Sequence, residues 1–192
     1  MKKAILIIAA VILGMSSFAQ QVESSGPRAE VVPYCLSPQL LAPMQFIGAP
    51  ATGYSTPVVW NGREYAVCYE KGGDVYFRRF YADGTAAGSE TSVLSAGVSG
   101  IKVSMVFNGS GYGVVYDGYD GSYYQIYFAK LDLNGSVVYG PSRISFYGQS
   151  PYDHCAYPSL AWNGRVYCVA WIDYRSGSDT DIFAALVNAD GT

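Results

Sequence analysis

The chain has 192 residues, half of them apolar, with 12 Lys and Arg against 15 Asp and Glu and a single histidine. That length holds one sizeable core or one repeat array and leaves no room for several large domains. The acidic balance argues against a nucleic-acid partner, which needs a basic face. With 18 Tyr, 22 Gly and only 14% charged residues, the composition favours pleated strands and tight turns over helices.

In chain order, Met1-Lys2-Lys3 precedes an apolar run from Ala4 to Leu13, and Ser17-Phe18-Ala19 supplies small residues where a signal peptidase reads. Residues 1–19 are therefore expected to be a signal peptide and the protein to be secreted or periplasmic. No later run approaches the roughly twenty apolar residues of a spanning helix, so no membrane span is expected. Residues 20–42 hold Ser24-Ser25-Gly26-Pro27, Pro33 and Pro38 and read as an extended, loosely ordered leader.

From residue 43 to 192 the chain repeats itself. Pro57-Val58-Val59-Trp60-Asn61-Gly62, Val103-Ser104-Met105-Val106-Phe107-Asn108-Gly109 and Pro158-Ser159-Leu160-Ala161-Trp162-Asn163-Gly164 are copies of one strand and its turn. Periods of about fifty residues mean solenoids or propellers. Trp60, Phe107 and Trp162 close the first strand, and Trp162 is expected in the core. Asn61-Gly62, Asn108-Gly109 and Asn163-Gly164 are hairpin signals, read as type I′ turns with positive φ at both residues. The second strands, Tyr65 to Tyr69, Tyr112 to Tyr116 and Tyr167 to Trp171, alternate a large with a small face. A propeller covers such strands by packing each blade's bulky face on its neighbour's small face.

A third strand follows in each copy, beginning near Val75, Tyr124 and Asp181, and each ends at a turn: Asp83-Gly84-Thr85, Asn134-Gly135-Ser136 and Asp190-Gly191-Thr192. A more polar fourth strand is expected over Glu90 to Leu94 and over Ser142 to Phe146. The expected fold is all-β: tandem four-stranded antiparallel repeats forming three blades of a β-propeller, at about 55–95, 101–147 and 156–192, in an incomplete or oligomeric ring. Pro43 to Ile47 could supply the outer strand that blade three lacks. Because three blades leave apolar faces bare, self-association or further blades beyond Thr192 are expected.

The Trp-Asn-Gly turn, the Tyr-x-Val-x-Trp strand, Asp173-Tyr174-Arg175-Ser176-Gly177, Asp181-Ile182-Phe183 and Asp190-Gly191-Thr192 together resemble the extracellular β-propeller repeats of bacterial surface and secreted proteins. The resemblance is fullest over Trp162 to Thr192. It implies the fold, and such families host lectins, adhesins and enzymes alike.

Candidate chemistry is sparse. His154 beside Cys155 suggests a nucleophile and base, but neighbours in an extended segment point apart. Their zinc reading lacks separated ligand pairs. Glu64, Glu70 and Glu90 are the only glutamates within the repeats, so the acid pair of a glycoside hydrolase has few candidates. Asp173, Asp179 and Asp181 offer clustered hard oxygens for calcium without an EF-hand spacing, and no other cofactor is suggested. Tyr119, Tyr123, Tyr147, Tyr152 and Tyr174 lie in or beside loops, where flat rings stack on sugars. Of the four cysteines, Cys35 with Cys155 is the favoured disulfide, while Cys68 and Cys168, on the small face, are expected to be buried packing groups. The expected function is a secreted, non-catalytic binding or adhesion module for a glycan or a surface protein; the alternative is a propeller glycoside hydrolase or a fragment of a larger propeller protein.

Overall fold

The structure, a computed structural model, describes residues 9–12, 15–18, 55–95, 101–145, 154–177 and 179–192. Cys35, Pro43 to Ile47, Phe146, Tyr147 and Tyr152 lie outside the described residues. The chain divides into two compact units, 1–43 and 44–192. In the first, β1 (Ala9–Ile12) and β2 (Met15–Phe18) pair as an antiparallel hairpin.

The second unit holds three antiparallel sheets and no helix among the described residues. Sheet one runs β3 (Val58–Trp60), β4 (Glu64–Lys71), β5 (Asp74–Tyr81) and β6 (Thr91–Ser95). Sheet two runs β7 (Val103–Phe107), β8 (Tyr112–Tyr119), β9 (Tyr124–Leu131) and β10 (Val137–Arg143). Sheet three runs β11 (Cys155–Trp162), β12 (Val166–Asp173) and β13 (Asp181–Asn188). Every strand pairs with its chain neighbour, so each sheet is a meander, and the sheets stack in sequence as three blades of a β-propeller, the third with three described strands. The fourth strand of blade two starts earlier than Ser142. The Asp132 amide donates to the Ser136 carbonyl (2.9 Å) and closes the preceding turn, so the chain re-enters the ladder at Val137. Two register shifts then carry β10 along β9 to Arg143.

The cores lie between blades, as the alternation of large and small faces requires. Cys68, Val75 and Phe77 of blade one meet Met105, Tyr112, Val114 and Tyr116 of blade two in one cluster. Val115, Ile126 and Phe128 of blade two meet Leu160, Tyr167, Val169 and Trp171 of blade three in another. Each such side chain contributes roughly 1.5–3 kcal/mol on leaving water, so packing between blades is a main source of stability in the fold. Both joints repeat one motif. Phe77 lies 5.0 Å from Tyr112, and Phe128 lies 5.0 Å from Tyr167, both at 56°. Gly113 makes room for the second: a Cβ there would stand 2.6 Å from the Tyr167 ring.

Two expectations about the hairpin are corrected. Trp162 is only half-buried and Trp60 is 45% exposed, whereas Tyr112 and Tyr167 are fully buried. The aromatic ending the first strand sits at the margin of the sheet and tilts over the Tyr across the turn, 4.6 Å away in the Trp162–Tyr167 pair. That Tyr is the ring clamped between its own Trp and the neighbouring blade's Phe. The turns also differ from type I′. Gly62, Gly109 and Gly164 have φ near +95° (97°, 93° and 94°), while no Asn has a positive φ, a pattern matching type II′ with Gly as first central residue. The Asn side chain is used instead: Asn61 Oδ1 accepts from the Arg63 and Glu64 amides, and Asn163 Oδ1 from those of Arg165 and Val166. Its nitrogen then reaches the next blade, Asn61 Nδ2 donating to the Tyr112 hydroxyl (2.7 Å) and Asn108 Nδ2 to that of Tyr167 (2.6 Å).

Candidate functional site

A cleft of about 710 Å³ opens where blades two and three meet, at the end opposite the Asn-Gly turns. Its walls come from the entries to the first strands (Lys102, His154, Ala156, Tyr157), from the end of β8 (Asp117), from the start of β9 (Tyr124) and from the loop after β12 (Tyr174, Gly177, Asp179, Thr180).

Asp117 organises the cleft floor. It is fully buried, and Oδ1 accepts from the Lys102 amide at 2.7 Å while Oδ2 accepts from the Tyr157 amide at 3.2 Å. Burial pushes its carboxyl above the usual aspartate range, with the two amides and the Lys102 ammonium (3.8 Å) opposing. Tyr157 is the only described non-glycine residue with a positive φ, 56°. It falls within the register shift of β11 between Ala156 and Ser159, and such bulges re-aim side chains beside functional sites. Its ring is exposed and the Lys102 ammonium lies 4.6 Å from its centroid.

The loop after β12, which supplies Tyr174 and Gly177 to the cleft, is held by the Asp-x-Arg-x-Gly pattern. Asp173 is buried, and Arg175 binds it through Nε (2.7 Å to Oδ1) and Nη2 while stacking 4.3 Å from the Phe183 centroid. Burial alone would raise the Asp173 carboxyl, but the Arg175 hydrogen bonds outweigh it and hold it below the ordinary range. Trp171 Nε1 and the Cys155 thiol also donate to Oδ2, both at 3.4 Å. Burial, then the Asp173 charge, pushes that thiol up to about 12, which disfavours the thiolate a nucleophile would need.

His154 faces away from Cys155: its Nδ1 accepts from the Tyr124 amide at 3.2 Å, and Tyr123 meets it edge-on at 5.3 Å. The expected loop tyrosines therefore separate. Tyr174 lines the cleft, Tyr123 packs behind His154, and Tyr119 lies 5.4 Å from Tyr124, while Tyr147 and Tyr152 fall outside the described residues. Lys102, Asp117, Tyr124 and Tyr157 carry no local sequence signal. They sit inside or next to regular strands, and only the offset between blades brings them together.

The remaining candidates are accounted for in other ways. Glu64 is paired with Arg79 (2.6 Å), Glu70 accepts from the Gly73 amide (2.8 Å), and Glu90 binds Lys71 and Tyr69, so none stands as one of a carboxylate pair at the cleft. Asp173 is engaged by Arg175, Asp179 lines the cleft, and Asp181 opposite Asp173 in the ladder is exposed; among the described residues no group of three His, Cys, Asp or Glu could hold a metal. Cys35, the partner assigned to Cys155, lies outside the described residues. Cys68 is buried as expected, but Cys168 is exposed, because no described blade covers that face of blade three.

No protein-family model and no curated protein matches the chain. Among solved structures, the chain is similar to an exo-1,5-alpha-L-arabinanase from a bovine ruminal metagenomic library, at TM-score 0.47 and 12% identity over 92% of this chain. The match covers 66% of that chain's length.

Proposed function

We propose that this chain is an exported binding module and that the cleft between blades two and three holds a carbohydrate. The carrying observation is the placement of Tyr157. A strained backbone, fixed by Asp117 from the neighbouring blade, turns an exposed ring into a cleft that Tyr124, Tyr174 and His154 also line. Flat rings and fixed polar groups are what a sugar's apolar face and hydroxyls require, and the volume lies in the range of small-ligand sites.

A hydrolytic reading draws on one further observation: burial favours the protonated form of Asp117, as a general acid needs. Against it, both Asp117 oxygens already accept from backbone amides, which suits a fixed support better than a proton donor.

A glycan array on the purified protein, followed by calorimetry on the glycans retained, tests the proposal. Tyr157→Ala and Tyr174→Ala should each weaken binding by about 1 kcal/mol, roughly fivefold, with the sugar recovered intact. Release of product from chromogenic glycosides would favour the hydrolase, and retention unaffected by either substitution would remove the cleft as the site.

A further inference from the structure

The joint between blades is built twice among the described residues, and its two halves recur there without a mate, one on blade three and one on blade one. We propose that the outward face of blade three docks on the inward face of blade one of a second copy of this chain.

The donor half lies on blade three. At joint one the covered positions of β5 are Val75 and Phe77, and at joint two those of β9 are Ile126 and Phe128, all fully buried or nearly so. The same ladder positions of β13 are Ile182 and Ala184, followed by Leu186. Ile182 is 72% exposed and Leu186 is 71% exposed. Asn163 repeats the turn geometry of Asn61 and Asn108, its Oδ1 taken by two backbone amides. Its nitrogen, which in both other turns donates to a tyrosine hydroxyl of the next blade, has no partner among the described residues. Cys168, on the same face, occupies the position of Ala66 and Gly113, which are buried.

The acceptor half lies on blade one. Tyr65 holds the position of Tyr112 and Tyr167 but is 43% exposed, whereas those two are sealed beneath the preceding blade. Val58 and Trp60, which share its face through the pairings Val58–Val67 and Trp60–Tyr65, are 59% and 45% exposed. Their counterparts Met105 and Leu160 are buried, and Phe107 and Trp162 are half-buried. The outer part of that face, Val67, Tyr69 and Phe80, is already buried, so the joint is expected along Val58, Trp60 and Tyr65. Such a contact is heterologous: it joins two different faces of the repeat, as the two joints already present do. An occupant from the same repeat follows from continuity with the two joints present: it offers a tyrosine hydroxyl to Asn163 and an aromatic wall to Ile182 and Leu186.

Sedimentation velocity on the purified chain at micromolar concentration, read together with thiol labelling of Cys168, tests this. The expected result is a dimer in which Cys168 labelling slows at least tenfold as concentration rises through the dissociation constant. Ile182→Glu with Leu186→Glu should give a monomer that labels at the fast rate at every concentration, its circular dichroism unchanged. Asn163→Ala and Tyr65→Phe, each removing one half of the proposed hydrogen bond, should each raise the dissociation constant several-fold, and they keep the test open if the double variant fails to fold. A monodisperse monomer of the parent chain, a dimer indifferent to all these changes, or concentration-independent labelling would overturn the proposal.

Discussion

The two ends of the blades follow different rules. At the Asn-Gly end, every repeat spends the same residues the same way: glycine at positive φ, asparagine oxygen on the turn amides, and asparagine nitrogen on the next blade's tyrosine wherever that blade is present. At the cleft end, the loops after the second strands diverge, with Glu70 capping Gly73, Asp120 capping Ser122 and Tyr123, and Asp173 gripping Arg175. The repeated end fixes how blades stack, and the divergent end is free to vary its chemistry. A scaffold made of near-identical joints can carry a site at one junction without the other having to match it.

The sharpest way to break this comparison is at the joint itself. Tyr167 is fully buried between Trp162 and Phe128, so Tyr167→Ala should cost about 3–5 kcal/mol. Trp162→Ala, from a half-buried position, should cost clearly less. Urea unfolding of both variants gives the order, and a larger loss for Trp162 would return the core to the end of the first strand. A smaller effect is expected from Asn108→Ala, which removes the turn acceptor and the 2.6 Å bond to the Tyr167 hydroxyl. The cost should be about 1–2 kcal/mol. Asn163→Ala, with the same turn but no described blade beyond it, should cost less in dilute monomer, and equal losses would deny the asparagine its role between blades.

The repeated end is legible in the sequence because its signals are local. A turn residue, its glycine and the alternating strands lie within about fifteen positions, and the alternation of large and small residues from Tyr112 to Tyr116 already implies how the blades pack. What escapes there is finer: a single sequence shows that Trp162 and Tyr167 share a hairpin, not which of them the next blade covers. The cleft is much less legible. Tyr174 and the Asp173 loop stand out by composition, but Asp117 and Tyr157 are forty residues apart and joined by one side-chain to backbone bond across a blade joint. Nothing in their immediate neighbours marks a positive φ at Tyr157, since the strain comes from pairing β11 against β12 with a register shift.

The smallest expected effect is a difference in pH dependence between two buried aspartates, Asp117 in the cleft and Asp173 at the start of the loop that carries Tyr174. Arg175 holds the folded Asp173 carboxyl below its unfolded value of about 3.9. Its contribution to stability is therefore present above that value and is lost as pH falls through the lower folded pKa. Burial holds Asp117 above its unfolded value, so the folded state favours the proton there. Its contribution is present at low pH and is lost as pH rises from about 3.9 through the raised folded pKa. Urea midpoints from pH 3 to pH 7 separate the two. Asp173→Asn lowers the midpoint near neutrality by breaking the ion pair, and it should also flatten the acid limb, because no carboxylate remains to be neutralised. Asp117→Asn removes the titrating charge, and because its Nδ2 cannot accept from one of the two backbone amides the midpoint should fall at every pH. With the opposing contribution gone, stability should still climb more steeply between pH 4 and pH 6 than in the parent. Slopes that change in the same direction in both variants would mean that Arg175 and burial do not set these two carboxylates apart.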